Sequence, residues 1–245
     1  MPLKLICYLS YGYPTLERSF EVAKAYVEAG CDVIECDLPA ADPYLESDFI
    51  ASRMRKALEN CSDYDKYLSG IAAMKKALPS ARFILLAYES TVIKIGVQKI
   101  IDFCLANDMR DLIFVGLKDG QIKNRLIAAG LKISCYVQYH LDPAELAAAK
   151  ESNGFIYLQA KPASGKIKPG FESLDKCVAR VRQIADGRKI YCGVGVATPQ
   201  DVASAAASGA DGVFIGSVIL KLHDDIPALK STIALFKAAA SGAIS

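Results

Sequence analysis

Residues 189–218 read KIYCGVGVATPQDVASAAASGADGVFIGSV. A β-branched and aromatic run, Lys189 to Val196, leads into a helical pattern from Pro199 to Ser208. A second strand run follows, Gly212 to Val218. Both strand runs are nearly continuous in apolar residues, as strands of a parallel sheet buried on both faces require. The unit is therefore strand, crossover helix, strand. Six further strand candidates precede it: Lys4 to Ser10, Asp32 to Leu38, Arg82 to Tyr88, Asp111 to Leu117, Ile133 to Tyr139 and Gly154 to Ala160. Helical patterns follow them, clearest at Leu16 to Ala29, Val97 to Asn107 and Phe171 to Ala185. Eight such units in 245 residues predict one domain over residues 1–245, an α/β fold closed as a (β/α)8 (TIM) barrel. The competing arrangement, an open doubly wound sheet, calls for a glycine-rich loop after the first strand. Tyr11-Gly12-Tyr13-Pro14 is not one. Ala-Gly-Cys-Asp at 29–32 and Ser-Gly-Ala-Asp at 208–211 are the same local device, a helix end with a glycine cap entering a strand.

Composition narrows the function. Apolar residues make up 52% and the formal net charge is +2, with no basic stripe. This predicts a globular chain that does not bind nucleic acid. No apolar run approaches the ~20 residues of a membrane span, and Met1-Pro2-Leu3-Lys4 enters a strand pattern without a cleavable signal. The expectation is a cytoplasmic protein. Its eight cysteines form no CxxC pair, so they are expected to be reduced, with no zinc site.

Strand two, Asp32-Val33-Ile34-Glu35-Cys36-Asp37-Leu38-Pro39, carries the chemistry. Alternate residues share a face. If Ile34, Cys36 and Leu38 face the helices, Glu35 and Asp37 project into the barrel near its C-terminal mouth, where acids usually do chemistry. The other use of such acids is a salt bridge closing the barrel. At strands seven and eight, Gly195 permits close backbone approach to a ligand, and Gly216 and Ser217 open a helix whose N–H groups attract an anion. Ser164-Gly165 could add another donor. The plainer use of these glycines is tight turns. One glycine at each of two adjacent barrel exits favours a small phosphorylated ligand.

With these motifs in place, the chain resembles the tryptophan synthase alpha subunit family along nearly its whole length. That family has the signature Glu-Leu-Gly-Ile-Pro-Phe-Ser-Asp-Pro where this chain has Glu35-Cys36-Asp37-Leu38-Pro39-Ala40-Ala41-Asp42-Pro43. The resemblance implies a lyase that cleaves indole-3-glycerol phosphate to indole and glyceraldehyde 3-phosphate. It implies no metal or organic cofactor, and a tryptophan synthase beta subunit as partner. It places the catalytic acid on Glu35, the second carboxylate on Glu46, and on Tyr88 a tyrosine that positions the acid. It assigns phosphate binding to Gly165, Gly195, Gly216 and Ser217. Tyr8, Leu86, Phe114, Gly116, Val137, Tyr157 and Val194 fall on indole-pocket positions, with Tyr8 and Phe114 holding the ring. The departures are Asp37 in place of a glycine, Glu46-Ser47-Asp48 in place of Asp-Gly-Pro, and Leu117-Lys118-Asp119 in place of Asp-Val-Pro. The loop after strand six, Lys161-Pro162-Ala163-Ser164-Gly165, lacks the family's arginine and first glycine.

The residues leave some roles open. Asp48 is expected to cap the helix after loop two. Lys161 shares parity with Tyr157 and Gln159, so a Schiff-base aldolase is an alternative; the plainer role is a solvated lysine. A non-catalytic phosphate-binding partner subunit is a third reading. His140 is expected at the catalytic end, and His223 is expected in solvent.

Overall fold

In the computed structural model, residues 2–116, 120–163 and 167–242 are described. All strand pairs are parallel, in the order β5-β4-β3-β2-β1-β9-β8-β7-β6. The strands are β1 (Lys4–Leu9), β2 (Val33–Asp37), β3 (Arg82–Tyr88), β4 (Asp111–Val115), β5 (Lys132–Ile133), β6 (Cys135–Val137), β7 (Ile156–Gln159), β8 (Ile190–Gly193) and β9 (Gly212–Ile215). β5 and β6 are two pieces of the one strand expected over Ile133 to Tyr139. The first piece pairs with β4 and the second with β7. Ser134 lies at the break: its N–H donates to Leu112 O at 3.0 Å, and the next N–H, of Cys135, donates to Phe155 O at 3.2 Å. The ring of strands closes through that residue, which gives the eight barrel positions that the sequence pattern predicts.

Alternation along the strands builds two cores. Leu5, Cys7 and Leu9 of β1 face outward and pack with Val22 and Tyr26 of α1 (Leu16–Glu28) and Phe236 of α11 (Ile226–Ala240). Ile6, Val33, Ile84, Phe155, Tyr191 and Phe214 face inward and fill the lower barrel. Each such ring or branched side chain contributes about 1.5–3 kcal/mol by leaving water. The interior is thus packed below and open only at the C-terminal mouth. Local chemistry sets the helix starts. Thr15 Oγ1 accepts from Arg18 N ahead of α1. α9 (Pro199–Ala207) begins with a proline, and Thr198 and Asp201 cap each other's backbone.

Candidate active site

The acids of β2 point where parity predicts. Val33, Glu35 and Asp37 turn inward, while Ile34 and Cys36 join the helix-facing core. Glu35 lies beside Tyr8 in register and is 5% exposed. Among the described residues its carboxyl has no ion-pair or hydrogen-bond partner. Burial holds its pKa well above the ordinary carboxylate range, with Glu46 and then Asp37 adding negative charge nearby. Asp37 is fully buried. It accepts from Tyr8 Oη at 2.5 Å and from Tyr11 N at 2.6 Å. Burial pushes it up to about 7 against the pull of those two bonds. No cation pairs with either acid among the described residues, so the salt bridge that could have closed the barrel is not formed. Asp37 instead fastens the Tyr8 ring and the backbone after β1.

Loop two delivers the third carboxylate. Glu46 packs into the mouth just before α2 (Asp48–Asn60) and receives Tyr88 Oη at 3.3 Å. Burial raises its pKa and the Tyr88 bond partly offsets this. Two expectations change here. Tyr88, the last residue of β3, positions Glu46 and makes no hydrogen bond to Glu35. Ser47, not Asp48, caps α2: its extended backbone lets Oγ accept from Ile50 N at 3.4 Å. Asp48 is already the first helical residue, exposed, where its charge suits the helix N-terminus.

Glu35 and Glu46 line one cavity of ≈ 640 Å³ at the mouth. Tyr8, Leu86, Phe114, Gly116, Tyr157 and Val194 line it too, as expected. Val137 does not; it is fully buried among the helix-facing residues, because its parity turns it away from the barrel axis. Phe114 has the same outward parity and reaches the cavity only at the rim. Gly116 makes room for it: a Cβ there would stand 2.7 Å from Phe114 Cε1. The inward residues of β4 are Ile113 and Val115. They line the cavity together with Ser134, Tyr136 and Phe214, and none of these was singled out from the sequence. Phe214 forms the floor, stacked on Tyr157 with centroids 4.3 Å apart and planes at 14°. Parity from Gly216 along the same strand was enough to find it.

Gly195 (φ 90°), Gly216 and Ser217 line the cavity where β8 and β9 end, with β1 between them and the acids of β2. The short helix α10 (Ser217–Leu220) starts at Gly216, and its first bond runs from Ile219 N to Gly216 O at 3.0 Å. The N–H groups of Ser217 and Val218 precede that bond and suit an anion. A Cβ on Gly216 would meet nothing closer than Tyr8 Cβ at 4.0 Å, so the space there is open. Val194 is held at φ 61°, an uncommon conformation for a β-branched residue, which costs about 1–3 kcal/mol and clusters at functional sites. Gly165 and Ser164, and the strand-four exit Leu117-Lys118-Asp119, lie outside the described residues. Lys161 is half-exposed, is not among the cavity-lining residues and pairs with Asp201 at 2.7 Å. That removes the desolvation on which a Schiff-base role depends. His140 is partly buried and borders a separate shallow hollow beside Lys168. His223 is buried, not solvated. Its Nε2 lies 2.6 Å from Tyr26 Oη and Arg53 stands on its other side. Burial, with Arg53 and Arg18 nearby, depresses its pKa to about 3.

Among the described residues no group of His, Cys, Asp and Glu could hold a metal ion. Among the described residues no helix is long and apolar enough to cross a membrane. A parallel (β/α)8 barrel with three acids around one cavity at its C-terminal end defines the class, the barrel enzymes that carry their active site at that end. Within it the chain belongs to the tryptophan synthase alpha chain family, whose model matches residues 3–241. It is 30% identical over 236 residues to the tryptophan synthase alpha chain of Dehalococcoides mccartyi, covering 92% of this chain and 89% of that one. Identity to the Methanosarcina barkeri alpha chain is 27% over 233 residues, covering 90% and 84%. The solved tryptophan synthase of M. tuberculosis in its aminoacrylate-bound form superposes with a TM-score of 0.82 at 27% identity, covering 98% of this chain and 94% of that one.

Proposed function

We propose that this chain cleaves indole-3-glycerol phosphate to indole and glyceraldehyde 3-phosphate, a lyase step of tryptophan biosynthesis. One observation carries the reading. A buried carboxyl and a half-buried one, both held above their ordinary pKa, share one cavity with an aromatic floor and glycine-lined strand exits. Cleaving the bond between indole C3 and the hydroxylated carbon requires C3 to be protonated first. Glu35, buried with no partner among the described residues and held well above the ordinary carboxylate pKa, is the acid that supplies that proton. Glu46 accepts the ring N–H proton as positive charge develops. The carbon–carbon bond then breaks: its electron pair returns to the ring while the carbinol hydroxyl loses its proton to become the aldehyde. Glu35, now a carboxylate, takes that proton, and Glu46 returns its proton to the ring nitrogen. The backbone of Gly195, Gly216 and Ser217 holds the phosphate and so orients the scissile bond. The steps need no metal or organic cofactor.

The partner this reading implies is a tryptophan synthase beta chain, which would receive indole at the mouth. Exposed Tyr44, Leu45 and Val194 give that rim an apolar character. The test is indole release from indole-3-glycerol phosphate by the purified chain, alone and with a beta chain added. No release under either condition overturns the reading in favour of a non-catalytic phosphate-binding subunit.

A further inference from the structure

Arg53 of α2 is buried, yet no carboxylate pairs with it among the described residues, and its Nε has no hydrogen-bond partner there. Its guanidinium lies against two rings, 4.3 Å from the Tyr13 centroid and 4.8 Å from that of Phe49. Burying a cation without a counter-ion costs stability, so this one asks for another role. Its two terminal nitrogens reach separate parts of the barrel. Nη2 donates at 2.7 Å to the carbonyl of Leu220, the last residue of α10, whose first residue Ser217 lines the cavity. Nη1 meets His223 Nδ1 at 3.4 Å. Tyr26 has a single hydroxyl proton and donates it to Tyr8 O at 2.9 Å. The 2.6 Å contact between Tyr26 Oη and His223 Nε2 is therefore donated by the imidazole. That leaves Nδ1 as an acceptor facing Arg53. One chain of donors thus runs from α2 through His223 and Tyr26 to the β1 residue that stands beside Glu35.

The start of α2 forms a wall of the cavity, which Leu45, Glu46, Ser47 and Ile50 line. The far end of the helix is held elsewhere. Tyr67 Oη donates to Ala57 O at 2.8 Å, and Asn60 Nδ2 to Pro14 O at 2.7 Å. Over residues 48–54, no side chain other than Arg53 hydrogen-bonds to another element among the described residues. Ala51 and Met54 are buried there too, but apolar contacts are non-directional. The fork of the guanidinium supplies the direction. We propose that Arg53 is a positioning residue for Glu46: it locks the start of α2 to α10 and to β1, and so sets where the second carboxylate stands relative to Glu35 and to the β9 exit. The inference rests on the proposed function in taking Glu46 as the base. It goes further in naming what holds that base in place.

The test is a double-mutant cycle on the full chain, with Arg53→Met and Glu46→Gln made singly and together. Arg53→Met keeps an unbranched stem against the two rings and removes both bonds. It should lower kcat for indole release about tenfold and leave KM within about twofold, because a base acts on the chemical step. On the Glu46→Gln background the same change should alter kcat by less than about twofold. Hydrogen exchange of the Leu45, Glu46 and Ser47 amides, which needs no turnover, should quicken about tenfold in Arg53→Met. Arg53→Lys keeps the charge, but one ammonium does not span both acceptors, so it should fall between Met and native. It carries the same cycle if Arg53→Met fails to fold. Native-like kcat with native-like exchange overturns the inference. So does an equal loss of kcat on the Glu46→Gln background, which marks a general loosening, or a raised KM at unchanged kcat. If the native chain releases no indole, the lyase reading falls and exchange alone decides: quickened exchange in the variants keeps Arg53 as the tie of loop two, and unchanged exchange removes it.

Discussion

Asp32 and Asp211 enter β2 and β9 at the N-terminal end of the barrel, while Glu35 and Asp37 leave β2 at the other. The two entering aspartates are built alike. Asp32 accepts from Leu5 N at 2.9 Å and pairs with Lys237 and Lys4. Asp211 accepts from Ile190 N at 2.9 Å and pairs with Arg182 and Lys189. In each, burial pushes the pKa up, but the cations and the backbone N–H outweigh it and the net shift is downward. At the mouth the balance is reversed. Glu35, Asp37 and Glu46 gather with no cation paired to any of them among the described residues, and all three are raised. The same residue type thus ties strands together at one end and holds protons at the other. Barrels generally keep stability at the bottom and chemistry at the top.

The largest expected effect tests the top. Glu35→Gln keeps the shape and removes the proton, so indole release should fall by about 10²–10⁴-fold. The same variant should gain stability. A carboxyl whose folded pKa is raised favours folding below its unfolded value of about 4.3 and loses that contribution as pH rises toward the folded value. The loss approaches about 1.4 kcal/mol per pH unit. Glu35→Gln should therefore melt with the native chain near pH 4 and above it at pH 7 to 8. Near-normal release would exclude Glu35 as the acid. A variant less stable than the native chain at pH 7 would show that the mouth carboxyl is not uncompensated.

Next in size is loop two. Glu46→Gln should lower turnover by about 10²-fold, because its half-buried carboxyl lines the cavity. Asp48→Asn, at an exposed first helical position, should change turnover less than about twofold and cost at most ~0.5 kcal/mol. The reverse pattern, with melting temperatures unchanged, would move the second carboxylate to Asp48.

Alternation carries the sequence reading to the barrel and to the inward turn of Glu35 and Asp37, because a buried parallel strand has only two faces. The same rule was sufficient for Phe214 and against Val137. Positions taken over from a family pattern do not carry parity with them, and Phe114 shows the cost: it reaches the cavity round the rim, past Gly116. What lay out of reach was tertiary. The break of strand five at Ser134, the burial of His223 against Tyr26 and the capture of Lys161 by Asp201 each depend on where a distant segment packs. Asp48 lost the cap to Ser47 through a difference of one residue in where the helix begins, the least legible feature of any helix.

At the bottom of the barrel the sign should invert. Asp32→Asn should leave turnover native-like and cost about 1–2 kcal/mol at neutral pH. That is a drop in melting temperature of roughly 2–4 °C per kcal/mol for a chain this size. A lowered pKa contributes stability above the unfolded value of about 3.9 and loses it as pH falls through the folded value. The gap between native and variant should therefore be open at pH 6 and close on acidification below about pH 4. Lost turnover at unchanged stability would break the division between the two ends.

The smallest effect concerns Tyr88, which belongs to the mouth but touches only the second carboxylate. Its ring is fully buried and packs edge to face with Tyr44 at 5.3 Å, so Tyr88→Phe should keep the loop in place and cost about 1 kcal/mol or less. The lost hydroxyl is the one hydrogen bond that holds the Glu46 pKa down against burial. Without it that pKa rises further. Glu46 acts as a base in the proposed step, so the acidic limb of kcat should move to higher pH. Turnover at neutral pH should fall only a few-fold, with recovery as pH is raised. Glu35 makes no hydrogen bond to Tyr88, so the basic limb, where the acid loses its proton, should stay where it is. The alternative placement, Tyr88 acting on the proton donor, predicts the opposite: a fixed acidic limb and a displaced basic one. One pH profile of the variant beside the native chain therefore decides which of the two carboxyls this phenol serves.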